Sequence, residues 1–334
     1  MTSQFFAVII SLFLFACGRS NGLSETSIQK SEPVTIAQYG HVFLYLPLYV
    51  AVDRGFFKQE GLDVKLVSTG GDEKTFAAVS SGSAQFGVSD PTFTAIARER
   101  GQGGKVVAAV VKGTPFSVLT FNNKIKSTAK PEDLAGLRIA TYTAPSTAYA
   151  VMKDVLQNHG KPINAKIVQG AFGTLLAMLK TDQADAAQEI EPIISVALSK
   201  KAHIIFEPAQ EFGDFAFTGL MVSDDLRQSN PQTVQAAVNA LSKAVEYIRN
   251  DQAGTLAVAK QEFPELSNEI LASAVTRLKQ NNTIPQSIML NKKAWDNAIK
   301  LRREVGDLKS GGSFEDNVDM SFAQKAEADN KVGQ

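Results

Sequence analysis

Cysteine, histidine and tryptophan are scarce in this chain of 334 residues, which holds one cysteine, three histidines and one tryptophan. A single thiol cannot form an internal disulfide, so a disulfide-stapled fold is excluded. The histidines, His41, His159 and His203, are scattered along the chain. With one cysteine they exclude a metal centre built from His and Cys ligands. We therefore expect the folded part to be stabilised by packing.

Neither positive nor negative charge is in excess in this sequence. The 34 basic residues are balanced by 34 acidic ones, so the formal net charge is zero. This balance gives no indication of a nucleic acid or an anionic surface as a partner. Motifs such as G-x-S-x-G and H-E-x-x-H are also absent. The sequence therefore favours a protein that is not an enzyme and that uses no cofactor.

The long hydrophobic run needed for a transmembrane helix is missing, but a shorter run stands at the N-terminus, from Phe5 to Ala16. About 20 apolar residues span a bilayer, whereas a dozen are typical of a signal peptide. The run ends in "LFAC", which resembles a bacterial lipobox, with Ala16 before Cys17. We predict a lipoprotein signal peptide over residues 1–16 and lipidation of Cys17. An ordinary cleaved signal is the alternative.

After the N-terminal run, the hydrophobic patterns divide the chain into a tether and two lobes. Residues 17–33 are polar and aperiodic, which predicts a flexible tether. Strand and helix patterns then alternate, which predicts an α/β fold with two mainly parallel sheets flanked by helices and a helical C-terminal tail. We assign residues 34–119 plus 217–334 to lobe 1 and 120–216 to lobe 2. The strand "FAFTGLMVS" is predicted to run back beside "FSVLTF", which places a hinge near Phe116–Phe121 and Phe215–Val222.

Some individual elements can be predicted from local patterns. "LDVKLVS" alternates apolar and polar residues and predicts a strand, and the continuous apolar run "KVVAAVV" predicts a strand buried on both faces. Asp90 is expected to cap a helix that starts at Pro91, and Asn230 to cap one that starts at Pro231. The apolar stripe of this last helix is Val234, Val238, Leu241, Val245 and Ile248.

Tyrosine is concentrated in two of the loops that follow predicted strands. Five of the six tyrosines lie in or just after the first such loop of each lobe: Tyr39, Tyr45, Tyr49, Tyr142 and Tyr149. Ligands of open α/β sheets bind at the carboxyl ends of strands. A tyrosine offers a flat apolar face and a hydroxyl, so these loops suit a small ring compound or a polar solute with an apolar body. Packing at a helix start is the alternative, and for Tyr49 it is the preferred interpretation.

The same loops are rich in acids and poor in bases. They carry Asp72, Glu73, Asp90, Glu189 and Glu191, but among bases only Lys74. An anion site normally shows arginine or several donors, so this set favours a neutral or cationic, nitrogen-bearing ligand. Alternative roles stay open: helix capping for some of these residues, and interaction with a helix dipole for Glu73. The predicted ligand-binding residues are Tyr39, His41, Tyr45, Gly71, Asp72, Lys74, Thr75, Asp90, Tyr142, Ser146, Thr147, Tyr149, Glu191 and Thr218.

Three stretches resemble one known family, the periplasmic solute-binding proteins of ABC importers for nitrate, sulfonates, taurine and thiamine-pyrimidine precursors. They are "PLYVAVDRGFFKQEGLDVKLV", "GGDEKTFAAVSSGSAQFGVSDPT" and "PEDLAGLRIATYTAPSTAY". The likeness covers about Val34 to Asp225. It implies a bilobal, type II periplasmic-binding fold with two hinge crossings, in which lobe closure traps a ligand. Related fungal pyrimidine synthases depend on a cysteine-rich stretch and histidines, and this chain has no such stretch.

The resemblance implies a lipid-anchored, extracytoplasmic receptor that hands a small molecule to ABC permease and ATPase subunits. We expect a monomer that binds no nucleic acid. Two alternatives keep the same fold: a receptor for a sulfonate- or nitrate-type anion, and a ligand-sensing partner of a membrane receptor. An extracytoplasmic enzyme is the least favoured class.

Overall fold

The structure is a computed structural model that describes residues 31–332. The predicted signal peptide and Cys17 lie outside the described residues, as does most of the predicted tether. Two five-stranded sheets form the centre of two lobes. The strands are β1 (Glu32–Gln38), β2 (Leu62–Ser68), β3 (Phe86–Ser89), β4 (Gly104–Lys112), β5 (Ser117–Thr120), β6 (Arg138–Tyr142), β7 (Lys166–Gly170), β8 (Ala186–Glu189), β9 (His203–Phe206) and β10 (Ala216–Ser223).

The first lobe is built on the sheet with strand order β2-β1-β3-β10-β4. Strands β1, β2 and β3 pair in parallel, and β10 is antiparallel to both of its neighbours, β3 and β4. The continuous apolar run predicted as a buried strand is β4, whose residues 106–111 are all buried. Four of the five strands therefore point the same way, as expected for a mainly parallel sheet.

The second lobe repeats this arrangement with strand order β7-β6-β8-β5-β9. Here β5 is the antiparallel strand, between β8 and β9. The prediction that the "FAFTGLMVS" strand lies beside "FSVLTF" is wrong, because β10 and β5 belong to different sheets. A strand's hydrophobic pattern shows that it is buried but does not identify its neighbours.

Two short segments cross between the sheets, residues 113–116 and residues 213–215. The backbone N–H of Gly113 donates to the carbonyl of Phe215 at 3.0 Å, so the crossings lie side by side. The hinge predicted near Phe116–Phe121 and Phe215–Val222 begins in the crossings, at Phe116 and Phe215, and extends into β5 and β10. The crossings are therefore shorter than predicted. The lobe boundaries assigned from the sequence stay a prediction.

Fifteen α-helices are described, and three short 3-10 turns (Phe43–Tyr45, Pro131–Leu134 and Asn158–Gly160) accompany them. The helices are α1 (Leu46–Asp53), α2 (Phe56–Gln59), α3 (Asp72–Ser80), α4 (Phe93–Arg98), α5 (Thr147–Gln157), α6 (Leu175–Lys180), α7 (Ile193–Ser199), α8 (Ala209–Phe212), α9 (Asp224–Ser229), α10 (Pro231–Asn250), α11 (Gln252–Glu262), α12 (Asn268–Gln280), α13 (Lys292–Glu304), α14 (Phe314–Asn317) and α15 (Ser321–Val332).

Local sequence explains most helix ends. Gly55 separates α1 from α2 with a φ of 72°, a left-handed conformation that favours glycine. Asn230 caps α10 by accepting from the N–H of Thr233, and Pro231 is its first residue, as predicted. Helix α4 differs from the prediction, because it begins at Phe93 rather than at the expected cap Asp90.

The main core joins the first sheet to the C-terminal helices. Helix α10 buries its predicted stripe of Val234, Val238, Leu241, Val245 and Ile248. The single tryptophan, Trp295 of α13, is fully buried, and its indole N–H donates to the Gly312 carbonyl at 2.8 Å. Across residues 31–332, no helix combines the length and the apolar character that crossing a bilayer requires.

Candidate functional site

A cavity lies between the two lobes, and its volume of about 490 Å³ includes space that is open to solvent. Loops from the carboxyl ends of β1, β3, β6 and β8 meet there, as expected for ligand sites of α/β sheets. Residues of the crossing 113–116 and of β10 complete its wall. The lining residues are Tyr39, Val42, Leu44, Tyr45, Asp72, Asp90, Phe116, Tyr142, Ser146, Thr147, Ala148, Phe172, Ile190, Phe217 and Thr218.

Aromatic rings make up much of this wall. Tyr142 lies against Phe172, with ring centroids 5.5 Å apart, and Phe116 meets Phe217 edge to face at 5.4 Å. The three phenylalanines were not predicted from the sequence. Tyr39 from the first lobe lines the same cavity. Flat rings from both lobes suit a planar ligand held between them.

The hydroxyl of Tyr142 points away from the cavity and into the second lobe. The hydroxyl donates to Oε2 of Glu189 at 2.5 Å, and the Glu189 side chain is completely buried. Burial raises the pKa of Glu189 to about 7. Its other oxygen, Oε1, has no hydrogen-bond partner among the described residues. Tyr142 therefore contributes its ring to the cavity, while Glu189 fixes the ring's position from behind.

Two acidic residues, Asp72 and Asp90, line the cavity. Among the described residues, no arginine or lysine forms an ion pair with Asp72. Its Oδ1 accepts a hydrogen bond from the backbone N–H of Asp90 at 3.0 Å. Burial, together with the nearby Asp90 carboxylate, raises the pKa of Asp72 to about 7. Near neutral pH this carboxyl can hold a proton or release it, so it can either donate to a ligand or accept from one.

Asp90 is fully engaged by protein groups. Its Oδ1 accepts from the backbone N–H of Thr92 at 2.8 Å and from the Thr92 hydroxyl at 2.5 Å. Its Oδ2 accepts from the Thr147 hydroxyl and forms an ion pair with Arg302 at 2.7 Å. Asp90 thus holds the turn before α4 instead of capping the helix itself. Its negative charge is neutralised by an arginine that sequence reasoning missed.

Four more of the predicted ligand-binding residues line the cavity: Ser146, Thr147, Thr218 and Tyr45. Ser146 accepts from the backbone N–H of Tyr149 at 3.3 Å, so it caps α5 and faces the cavity at once. Within residues 31–332, no lysine, arginine or histidine lines the cavity.

An outer vestibule of about 1150 Å³ adjoins the cavity and shares Tyr39, Asp72 and Tyr142 with it. Gly71 and His41 line this vestibule and not the inner cavity. The His41 ring pairs with Glu262 at 2.6 Å and stacks on Phe263 with centroids 4.6 Å apart. This contact anchors the loop that carries Tyr39.

Four predicted site residues line neither the cavity nor the vestibule. Thr75 is buried and donates to the Gly71 carbonyl at 2.9 Å, and Lys74 lines a separate groove beside Phe93. Tyr149 is half-buried on α5. Glu191 pairs with Arg277 at 2.7 Å and accepts from the Ser195 N–H at 3.1 Å. The structure therefore gives Glu191 a protein partner where the sequence predicted a ligand contact.

Comparisons with known proteins agree with this architecture. A family model described as "NMT1/THI5 like" matches residues 43–255. The chain is similar to the "Putative binding protein YtlA" of Bacillus subtilis, with 24% identity over 332 residues and 96% coverage of both chains. It is also similar to the "4-amino-5-hydroxymethyl-2-methylpyrimidine phosphate synthase THI11" of Saccharomyces cerevisiae, with 22% identity over 241 residues, 68% of this chain and 69% of that one.

Among solved structures, the chain is similar to the periplasmic aliphatic sulphonate-binding protein SsuA of Escherichia coli. The TM-score is 0.71 at 15% identity, over 87% of this chain and 93% of that chain. At this identity the likeness concerns the fold alone. It confirms the bilobal periplasmic-binding fold expected from the sequence.

Proposed function

The chain belongs to the NMT1/THI5-like family, and on that premise we propose that it is an extracytoplasmic solute-binding protein of an ABC importer. It captures a small molecule between its lobes and delivers it to permease and ATPase subunits. The bilobal fold and the cavity lined by both lobes support this role. The protein acts as a monomer held at the membrane by a lipid on Cys17.

The ligand we propose is a planar, nitrogen-bearing ring compound or an amine, neutral or cationic. The observation that carries this proposal is the composition of the cavity wall, where the described residues contribute aromatic rings and two carboxyl groups but no basic side chain. An N–H group of the ligand would donate to Asp72 while its ring lies against Tyr142 or Tyr39. Hydrogen bonds to charged groups contribute about 1.5–3 kcal/mol each.

A sulfonate or nitrate is the second candidate, because the structurally similar SsuA is an aliphatic sulphonate-binding protein. The N-terminus of α5, at Ser146 and Thr147, could offer backbone N–H groups to an anion. The ionised form of Asp72 would repel such a ligand, and Arg302 is already occupied by Asp90. The charge distribution therefore favours the nitrogen-bearing ligand.

The similarity to a pyrimidine phosphate synthase is the observation that would support an enzymatic role. The chain lacks the cysteine-rich stretch on which the related fungal synthases are expected to depend, and it has three histidines in total. A receptor function needs no such groups, so we favour it. A sensing role beside a membrane receptor would use the same cavity and the same ligand.

A thermal-shift panel of pyrimidines, amines, sulfonates and nitrate tests the proposed ligand class. We expect pyrimidines or amines to stabilise the protein and the anions to leave it unchanged. Calorimetry of the best compound should then show weaker binding in Tyr142→Ala. Tyr149→Ala is the matched control, because Tyr149 follows the same strand on α5 but does not line the cavity. Stabilisation by sulfonates or nitrate alone would overturn the proposed ligand class.

A further inference from the structure

Arg302 is a buried arginine of the C-terminal helix α13 that touches both lobes. Its side chain is 1% exposed, and Nε donates to the Thr92 hydroxyl at 3.1 Å. Nη1 donates to the Pro145 carbonyl at 3.2 Å and to Asp307 at 2.7 Å. Nη2 donates to Asp90 at 2.7 Å and to the Thr147 hydroxyl at 3.0 Å. All five N–H groups of the guanidinium are therefore used.

These partners come from two different lobes. Asp90 and Thr92 follow β3 of the first sheet, whereas Pro145 and Thr147 follow β6 of the second sheet. The Thr147 hydroxyl also donates directly to Asp90, so the lobes touch each other beneath the guanidinium. Separation of the lobes would break this direct bond and at least two of the bonds made by Arg302.

Helix α13 is placed to carry such a contact. It packs against α5 of the second lobe and against β10 of the first. The Lys153 ammonium of α5 donates to the Val305 carbonyl at its end, at 3.1 Å. Near its middle, the Asn297 amide donates to the Asp214 carbonyl in the second crossing at 2.7 Å. The helix therefore contacts both lobes and the crossing between them.

We infer that Arg302 is a clasp between the two lobes, and that it positions Asp90 and Thr147 at the cavity without lining the cavity itself. The clasp is made of protein groups, so it favours the arrangement in which the lobes touch independently of any ligand. The consequence of the clasp for ligand binding rests on the proposed receptor function. Its test does not, because it uses ligand-free protein.

Two variants distinguish the loss of hydrogen bonds between the lobes from the loss of the buried positive charge of Arg302. Arg302→Lys keeps a cation for Asp90 but replaces the five-donor fork by three donors on a single nitrogen. Thr147→Val removes the hydroxyl of the second lobe without leaving a buried charge unpaired. The matched control is Arg303→Met, since Arg303 is the next residue of α13 and is exposed. All are made in the full chain carrying Cys17→Ser, so that the N-terminal segment contributes equally.

Small-angle X-ray scattering of the ligand-free proteins gives the separation of the lobes. We expect wild type and Arg303→Met to match the scattering calculated from the structure, in which the lobes touch. Arg302→Lys and Thr147→Val should scatter as more extended particles, with the ratio of open to closed molecules raised about tenfold or more, since each charge-assisted bond lost is worth a factor of that order.

The inference is overturned by either of two results. One is a wild type that is already open without ligand. The other is a pair of folded variants, with cooperative unfolding, whose scattering equals that of wild type. If Arg302→Lys fails to fold, Thr147→Val alone decides the matter. Failure of the ligand panel would leave these outcomes unaffected, so the clasp and the proposed ligand class are tested separately.

Discussion

Replacing Asp72 by asparagine is expected to make the protein more stable at pH 8 and, at the same time, a poorer receptor. Asp72 is 9% exposed and lines the cavity between the lobes. Burial and the neighbouring Asp90 raise its pKa from 3.8 to about 7. Keeping an ionised carboxylate in this place therefore costs free energy of folding, which asparagine, having no charge, does not incur.

The sign and size of the effect follow from this pKa difference. Between pH 4 and pH 7 the unfolded chain releases the Asp72 proton while the folded chain keeps it, so wild-type stability falls as pH rises through that window. Each unit of pKa difference corresponds to about 1.4 kcal/mol, so the full cost above pH 7 is about 4 kcal/mol. Asparagine accepts a weaker hydrogen bond from the Asp90 N–H, which offsets about 1 kcal/mol. The net gain of Asp72→Asn at pH 8 is about 3 kcal/mol.

The assay is urea denaturation of wild type and variant at pH 4, 6 and 8. The difference between the two proteins isolates Asp72 from other groups that titrate in this range, such as Glu189. We expect the variant to be equal or slightly less stable at pH 4 and increasingly more stable toward pH 8. A stability difference that does not change with pH would refute the reasoning. In calorimetry with the best amine or pyrimidine of the panel, the same variant should bind about tenfold more weakly or worse.

Three further predictions concern the cavity wall, a residue outside it and the N-terminus. Tyr142→Ala should weaken binding about tenfold, whereas Tyr142→Phe should keep most of the affinity in calorimetry, because the hydroxyl faces Glu189; equal losses would contradict this orientation. Glu191→Gln should leave affinity unchanged and lower the free energy of unfolding in urea by about 1–3 kcal/mol, because Glu191 pairs with Arg277; a tenfold loss of affinity would restore Glu191 as a ligand contact. Cys17→Ser should abolish labelling by a palmitate analogue and release the protein from membranes; unchanged labelling and retention would argue against the lipid anchor.

Much of the fold could be predicted from hydrophobic periodicity. The pattern "LDVKLVS" gave the bounds of β2 without error, and the apolar stripe of α10 is buried as expected. The family resemblance and the bilobal fold were also predicted correctly. The neighbours of β10 were not, because pairing between strands far apart in sequence depends on the path of the whole chain. The start of α4 was missed because the Asp90 side chain organises a turn first.

The site was predictable to the extent that it lies in loops after strands. Eight of the predicted residues line the cavity: Tyr39, Tyr45, Asp72, Asp90, Tyr142, Ser146, Thr147 and Thr218. Their role in binding stays a prediction. The charge argument counted only the loops, so it overlooked Arg302 and Arg277, which come from the helical tail. A signal for Arg302 exists, since it continues the apolar stripe of Trp295 and Ile299 at helical spacing.

The position of β10 between β3 and the edge strand β4 of the first sheet has a consequence for how the chain folds as it is made. Strand β10 fills the place between β3 and β4, but it is synthesised only after all strands of the second sheet. The second sheet uses one continuous stretch, residues 117–206, and can form as soon as that stretch is complete. Until β10 has been made, the first sheet lacks the strand that joins β3 to β4, so the apolar edges of β3 and β4 stay unpaired during synthesis or export. We therefore expect the second lobe to fold first, and the nascent first lobe to be the part that depends on chaperones.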